Sequence, residues 1–169
     1  MQLFFSHGKE SGPWGFKIRR LAKIAEAKGF SVDSINYRDS PDPELRVDRL
    51  LARLQQETQP FILVGSSMGG YVSLVASAAV QTRALFLMAP ALYIPAYRTQ
   101  QYASTAAHIE IVHGWSDAVI PVQNSIDYAR EADCSLHLIS GDHPLNTSIA
   151  AIEILFARFL DSVSAPGAH

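Results

Sequence analysis

The sequence predicts an α/β protein: a three-layer αβα sandwich built on a mainly parallel six-stranded sheet. Two observations lead there. Short apolar runs such as Phe61-Ile62-Leu63-Val64 and Ala84-Leu85-Phe86-Leu87-Met88-Ala89 have the length and composition of buried strands, and longer stretches of helical periodicity separate them almost throughout. Parallel strands need a crossover between them, and right-handed helical crossovers cover both faces of the sheet. The ligand crevice of such a sheet lies at the loops that follow the carboxyl ends of its strands.

Taken in order, Gln2 to Ser6 is a brief apolar strand that ends at His7-Gly8. A helix is expected from about Trp14 to Lys28, with Trp14, Ile18, Leu21, Ala22 and Ala25 on one stripe and Gly29 closing it. Phe30 to Asn36 is the second strand, in which Ile35 falls out of the alternating phase. Asp42-Pro43 caps and opens a second helix whose Val47, Leu50, Leu51 and Leu54 recur at helical spacing, and Pro60 separates it from the strand at Phe61. Tyr71 to Val80 reads as a buried central helix. The remaining strands are Ala84 to Ala89, His108 to His113 and Cys134 to Ile139. The remaining helices are Pro121 to Glu131 and Thr147 to Leu160.

Length and composition bound the answer. The chain has 169 residues, 48% of them hydrophobic and 18% charged, which fits one globular domain, placed at residues 1–163. Residues 164–169 read as a disordered tail. A net charge of −2 gives no electrostatic reason to expect nucleic acid or an anionic membrane as partner. Cys134 is the single cysteine, so neither an intrachain disulfide nor a thiolate metal cluster can form. The apolar run at Leu3-Phe4-Phe5 is too short for a signal peptide or a membrane span, and the expected location is the cytoplasm. The histidines show no metal-ligand spacing, and neither a Gly-x-x-x-x-Gly-Lys-Ser/Thr nor a Gly-x-Gly-x-x-Gly turn is present, so no metal and no cofactor are expected.

The chemistry concentrates on Gly65-Ser66-Ser67-Met68-Gly69-Gly70. A serine on a strained strand-to-helix corner needs neighbours with almost no side chain two residues away on either side, and Gly65-x-Ser67-x-Gly69 supplies them. The same turn also suits phosphate binding or a plain tight bend, so the pentapeptide leaves these open beside catalysis. The polar residues just beyond other strand ends are His7, Ser116, Asp117, Asp142 and His143. A nucleophilic serine needs a base, and the base needs a carboxylate behind it. His143, on a glycine-bearing loop, ranks ahead of His7 as base. Asp117 ranks ahead of Asp142 as acid, because Asp142 adjoins His143 in sequence and a residue seldom reaches round to its neighbour's Nδ1. His113 is expected to pack at a strand end.

The order Ser67, Asp117, His143 is the one followed in α/β hydrolases. With His7-Gly8, the Gly65–Gly70 turn, His113-Gly114 before Asp117 and Pro121, and Gly141-Asp142-His143, the sequence from Gln2 to about Leu160 resembles a small, lidless member of that superfamily. The resemblance implies a minimal α/β-hydrolase fold and a serine hydrolase of carboxylesterase type. Ser67, Asp117 and His143 would be its nucleophile, acid and base, and the backbone N–H groups of Lys9 and Met68 its oxyanion hole. Many members carry a sizeable helical cap, whereas here Pro90 to Ala107 is the one stretch with room for an excursion. Tyr93, Tyr97 and Tyr102 in that stretch either wall an acyl pocket or pack on the sheet. Trp14, in the glycine-rich Gly8–Gly15 rim, joins Tyr93 and Tyr97 as an expected substrate contact. An open site favours a small soluble ester or thioester as the acyl substrate. A peptidase or acyl transferase with the same triad, and a non-catalytic binding protein on the same fold, remain alternatives.

Overall fold

The chain alternates strand and helix as β1 (Gln2–Ser6), α1 (Phe16–Ala27), β2 (Ser31–Ile35), α2 (Pro43–Leu54), β3 (Phe61–Ser66) and α3 (Met68–Ser77). It continues as β4 (Ala84–Met88), β5 (His108–Gly114), α4 (Val122–Glu131), β6 (Ser135–Ile139) and α5 (Ile149–Ser164). These elements come from a computed structural model, which describes residues 1–164. The six strands form one sheet in the order β2-β1-β3-β4-β5-β6, and every neighbouring pair is parallel. The direction of winding reverses between β1 and β3, where Ser6 lies opposite Gly65. That reversal opens a crevice at the carboxyl ends of the two strands.

Successive side chains of a strand face opposite sides of the sheet, and here both sides are apolar. Leu3, Phe5, Ile62, Val64, Phe86 and Met88 pack against α1 and α5 through Leu21, Ala25, Phe156 and Phe159. Phe4, Phe61, Leu63, Leu85 and Leu87 pack on the other side with α2, α3 and α4 through Leu50, Leu54, Tyr71, Val72 and Tyr128. This explains Ile35: it belongs to the second layer, facing away from Val32, so β2 gives one apolar side chain to each face of the sheet.

The element ends differ from the expected ones for local reasons. Helix α1 starts at Phe16, not Trp14, because Gly12-Pro13-Trp14-Gly15 closes a turn in which the Gly15 N–H donates to the Gly12 carbonyl at 3.1 Å. Trp14 therefore leaves the apolar stripe and stands 43% exposed. Helix α3 starts at Met68 and ends at Ser77, since the corner at Ser67 is itself the helix start. At α2 the Asp42 carboxylate accepts from the N–H of Glu44 at 2.8 Å, with Pro43 in the first turn, as expected of a cap. Helix α5 begins at Ile149 and runs through Ser164, a residue expected in the tail. The rest of that tail lies outside the described residues. Among the described residues no helix is long and apolar enough to cross a membrane.

Candidate active site

Ser67 sits between β3 and α3 with φ 55° and ψ −121°, a backbone conformation that L-residues rarely adopt. The corner is held from both sides: the Ser67 N–H donates to the Met88 carbonyl at 2.9 Å, and the Ser67 carbonyl accepts from Ala91 N–H at 3.0 Å and Gly70 N–H at 2.9 Å. The glycines are a packing necessity. A Cβ on Gly65 would lie 2.3 Å from the Gly69 carbonyl oxygen, and one on Gly69 would lie 2.0 Å from the Ser6 carbonyl oxygen at the end of β1.

Two loops converge over this corner. The Ser67 Oγ is 2.9 Å from His143 Nε2, on the loop after β6. His143 Nδ1 is 2.7 Å from Asp117 Oδ2, on the loop after β5. Because the ionised carboxylate can only accept, Nδ1 carries the proton and Nε2 is left to accept from the serine hydroxyl. Residues 76 and 26 positions apart in sequence thus form one hydrogen-bonded line. His143 remains partly exposed, whereas the Asp117 side chain is fully buried.

Asp117 is saturated with donors. Its Oδ1 accepts from the N–H groups of Val119 at 2.8 Å and Ile120 at 2.9 Å, and its Oδ2 accepts from His143 and also from His113 Nε2 at 2.9 Å. Burial alone would raise its pKa, but the hydrogen bonds from His143, Ile120 and Val119 outweigh it and hold the carboxyl below the usual carboxylate range. His113, expected merely to pack, is the residue that sequence reasoning missed. Its buried ring donates from Nε2 to Asp117 and to the Ile120 carbonyl at 3.2 Å, while Nδ1 accepts from the Ser125 hydroxyl at 2.7 Å. Burial lowers its pKa, partly opposed by Asp117, in keeping with a neutral ring that donates at one nitrogen and accepts at the other. Its spacing of four from Asp117 was visible, but across a turn such spacing dictates no contact.

The competing candidates have other partners. His7 is buried, donates from Nδ1 to the Gly8 carbonyl at 2.7 Å and accepts at Nε2 from Tyr37 N–H at 3.0 Å. Asp142 accepts from Leu145 N–H at 3.1 Å and shapes the loop that carries His143. Among the described residues no group of three or more His, Cys, Asp or Glu side chains is arranged to hold a metal ion.

A cleft of about 490 Å³ opens above Ser67, walled by Lys9, Phe16, Met68, Tyr97, Val119 and His143, among others. Two expected contacts stand apart from it. Trp14 lies outside the lining, exposed on the turn before α1. Tyr93 turns away: its hydroxyl donates to Glu131 at 3.2 Å and its N–H to the Tyr102 hydroxyl at 3.0 Å. Tyr71, Tyr97, Tyr102 and Tyr128 form a ladder of edge-on and tilted rings against α3 and α4, with centroids 4.6–6.2 Å apart, so the 90–107 excursion chiefly packs. It contains no helix. At the opposite rim Lys17 donates to the Pro144 carbonyl beside His143. Burial pushes its ammonium pKa down to about 8, against the pull of Asp142 and Asp117.

A model of the Uncharacterised protein family UPF0227 matches residues 2–151. Among solved structures the chain is similar to a protein of the α/β hydrolase superfamily from Xanthomonas campestris pv. campestris, with 34% identity and a TM-score of 0.86 over 95% of this chain and 98% of that one. Est1E from Butyrivibrio proteoclasticus is 14% identical with a TM-score of 0.82, over 98% and 88% of the two chains. A lidless serine hydrolase from Xanthomonas campestris is 19% identical with a TM-score of 0.69, over 93% and 79%. No curated protein matches the sequence. With a family match over most of its length and a third of its residues shared with a solved relative almost end to end, the chain belongs to UPF0227 and to the α/β-hydrolase superfamily.

Proposed function

We propose that the protein is a serine hydrolase that cleaves a small soluble ester or thioester through an acyl-enzyme on Ser67. One observation carries the reading: the unbroken hydrogen-bonded line from Ser67 Oγ through His143 to a buried Asp117, at the floor of an open cleft. In this reaction Ser67 Oγ attacks the acyl carbonyl carbon while His143 Nε2 takes the serine proton. The charge that develops on the carbonyl oxygen is met by the N–H of Met68, at the amino end of α3, and by that of Lys9. Collapse expels the alcohol or thiol, which receives the proton from His143. A water molecule, deprotonated by the same imidazole, then cleaves the acyl-enzyme and restores Ser67. Asp117 keeps the His143 ring in the right tautomer and stabilises the imidazolium formed in between.

The cleft supports small substrates. Its volume is at the lower end of the range for small-molecule sites, and no helix of the 90–107 segment roofs it. Turnover of short-chain 4-nitrophenyl esters should fall by about 10⁴-fold or more in Ser67→Ala. A fluorophosphonate should label the wild type at Ser67 and leave the variant unlabelled. Equal turnover by the two proteins, or a folded wild type that resists the probe, would dispose of the assignment; the second result would favour a non-catalytic binding role.

A further inference from the structure

Arg46, in the first turn of α2, is 1% exposed, yet among the described residues no carboxylate oxygen lies within 4.0 Å of its guanidinium. Asp39 is held by Arg49 at 2.6 Å. A buried charge without a counter-ion is costly and persists only where hydrogen bonds satisfy it. All of its acceptors are backbone carbonyls. Nε donates to Ser40 at 2.7 Å, Nη2 to Tyr37 at 3.3 Å, and Nη1 to both His7 at 3.2 Å and Gly8 at 3.3 Å. The guanidinium also lies 5.2 Å from the centre of the Tyr37 ring. Burial lowers its pKa, as it must for an unpaired cation.

Two of those carbonyls belong to the loop that leads from β1 over Ser67. A peptide unit is planar, and among the described residues no peptide bond is cis, so each C=O points opposite to the N–H of the following residue. Drawing the Gly8 carbonyl inward, where His7 Nδ1 also holds it at 2.7 Å, turns the Lys9 N–H outward. Drawing the His7 carbonyl inward does the same to the Gly8 N–H. The loop lies close to the nucleophile, since a Cβ on Gly8 would be 3.5 Å from the Cβ of Ser67, and Gly8 and Lys9 both line the cleft.

We propose that Arg46 is a positioning residue for the reaction: its guanidinium holds the His7 and Gly8 carbonyls inside the protein, so that the Lys9 N–H is presented to the oxyanion that forms beside Ser67. The inference rests on the acyl-enzyme reading of Ser67 and adds to it a buried cation fixed behind the oxyanion site. Lysine has no planar fork and cannot serve four carbonyls in this geometry, so Arg46→Lys should restore the function only in part.

The test pairs a dynamic with a catalytic measurement on wild type, Arg46→Met and Arg46→Lys, with folding checked by circular dichroism. Backbone N–H order parameters at Gly8 and Lys9 should fall from about 0.85 to below about 0.6 in Arg46→Met. With 4-nitrophenyl butyrate, kcat should drop about a hundredfold while KM stays within about threefold, the loss expected when an oxyanion donor is misplaced. Affinity for an aliphatic trifluoromethyl ketone, which forms an oxyanion on the serine, should weaken by the same factor. Arg46→Lys should lose about tenfold in both. Should Arg46→Met fail to fold, Arg46→Lys carries the comparison, and wild-type values there overturn the proposal. Unchanged order parameters in a folded variant also overturn it, as does a loosened loop with wild-type kcat and ketone affinity. A wild type that neither turns over ester nor takes a fluorophosphonate removes the hydrolase reading and with it the purpose assigned to Arg46, while the order parameters separately report whether the tether exists.

Discussion

Asp117 receives two imidazoles on one carboxylate oxygen, and the second of them, His113, touches neither Ser67 nor the cleft. Its part is to keep the carboxylate turned toward His143 while Ser125 holds the ring from behind. Replacing it by leucine of similar bulk would leave Asp117 Oδ2 with one donor fewer and the buried Ser125 hydroxyl without its acceptor. His113→Leu should therefore cost about 1–3 kcal/mol of stability, read from urea melts. It should also lower kcat about tenfold or more with little change in KM, which a role confined to packing would not do. Wild-type kcat in a destabilised variant would reduce His113 to a core residue. At this scale the sequence was legible where a residue type announces its chemistry: a serine between spaced glycines, a carboxylate and an imidazole beyond strand ends. Legibility stopped at His113 and Arg46. Both act through contacts made by folding, one across a turn and one from a helix whose apolar stripe passes it by.

The corner between β3 and α3 shows how an element can override propensity. Gly69 and Gly70 are poor helix formers, and the helix was expected to begin after them at Tyr71, yet both lie inside α3. Space decides the matter: a Cβ on Gly69 meets the backbone of Ser6 at 2.0 Å, and backbone cannot step aside as a flexible side chain would. Gly69→Ala should gain helix propensity locally and still lose about 3 kcal/mol overall, measured by thermal and urea unfolding. Because the obstructed carbonyl ends β1, the displacement should also reach His7 and Gly8. A variant as stable as wild type would mean that β1 and α3 can separate without cost. The 90–107 excursion was ambiguous in sequence for a related reason. Tyrosines suit a pocket wall and an aromatic ladder equally, and only folding placed Tyr97 at the cleft and Tyr93 against Glu131.

At the scale of the molecule, the class of fold was legible because apolar strands and periodic helices have different lengths and different periods. The strand order was not, since pairing is a property of distant segments. Its outcome, with winding reversed between β1 and β3, sets the His7-Gly8 loop beside Ser67. Cys134 offers a reporter of the whole. It packs partly buried in the layer of α2, α3 and α4, and burial pushes its thiol pKa up to about 11. At pH 8 its reaction with dithiobis(nitrobenzoate) should run about a hundredfold slower than that of free cysteine. It should accelerate along the urea transition seen by circular dichroism. A native rate equal to that of free cysteine would place the thiol outside the layer.

Among the described residues the cleft carries no helical roof, and exposed Phe16 and Val119 stand at its edge. In the proposed reaction no helix of the 90–107 segment would have to swing aside before a reactant enters or a product departs. The corresponding loss would be shelter: bulk water would reach the proposed covalent intermediate as readily as any competing alcohol or amine. A vessel without a stopper would favour breaking bonds in water over moving an acyl group between two organic acceptors.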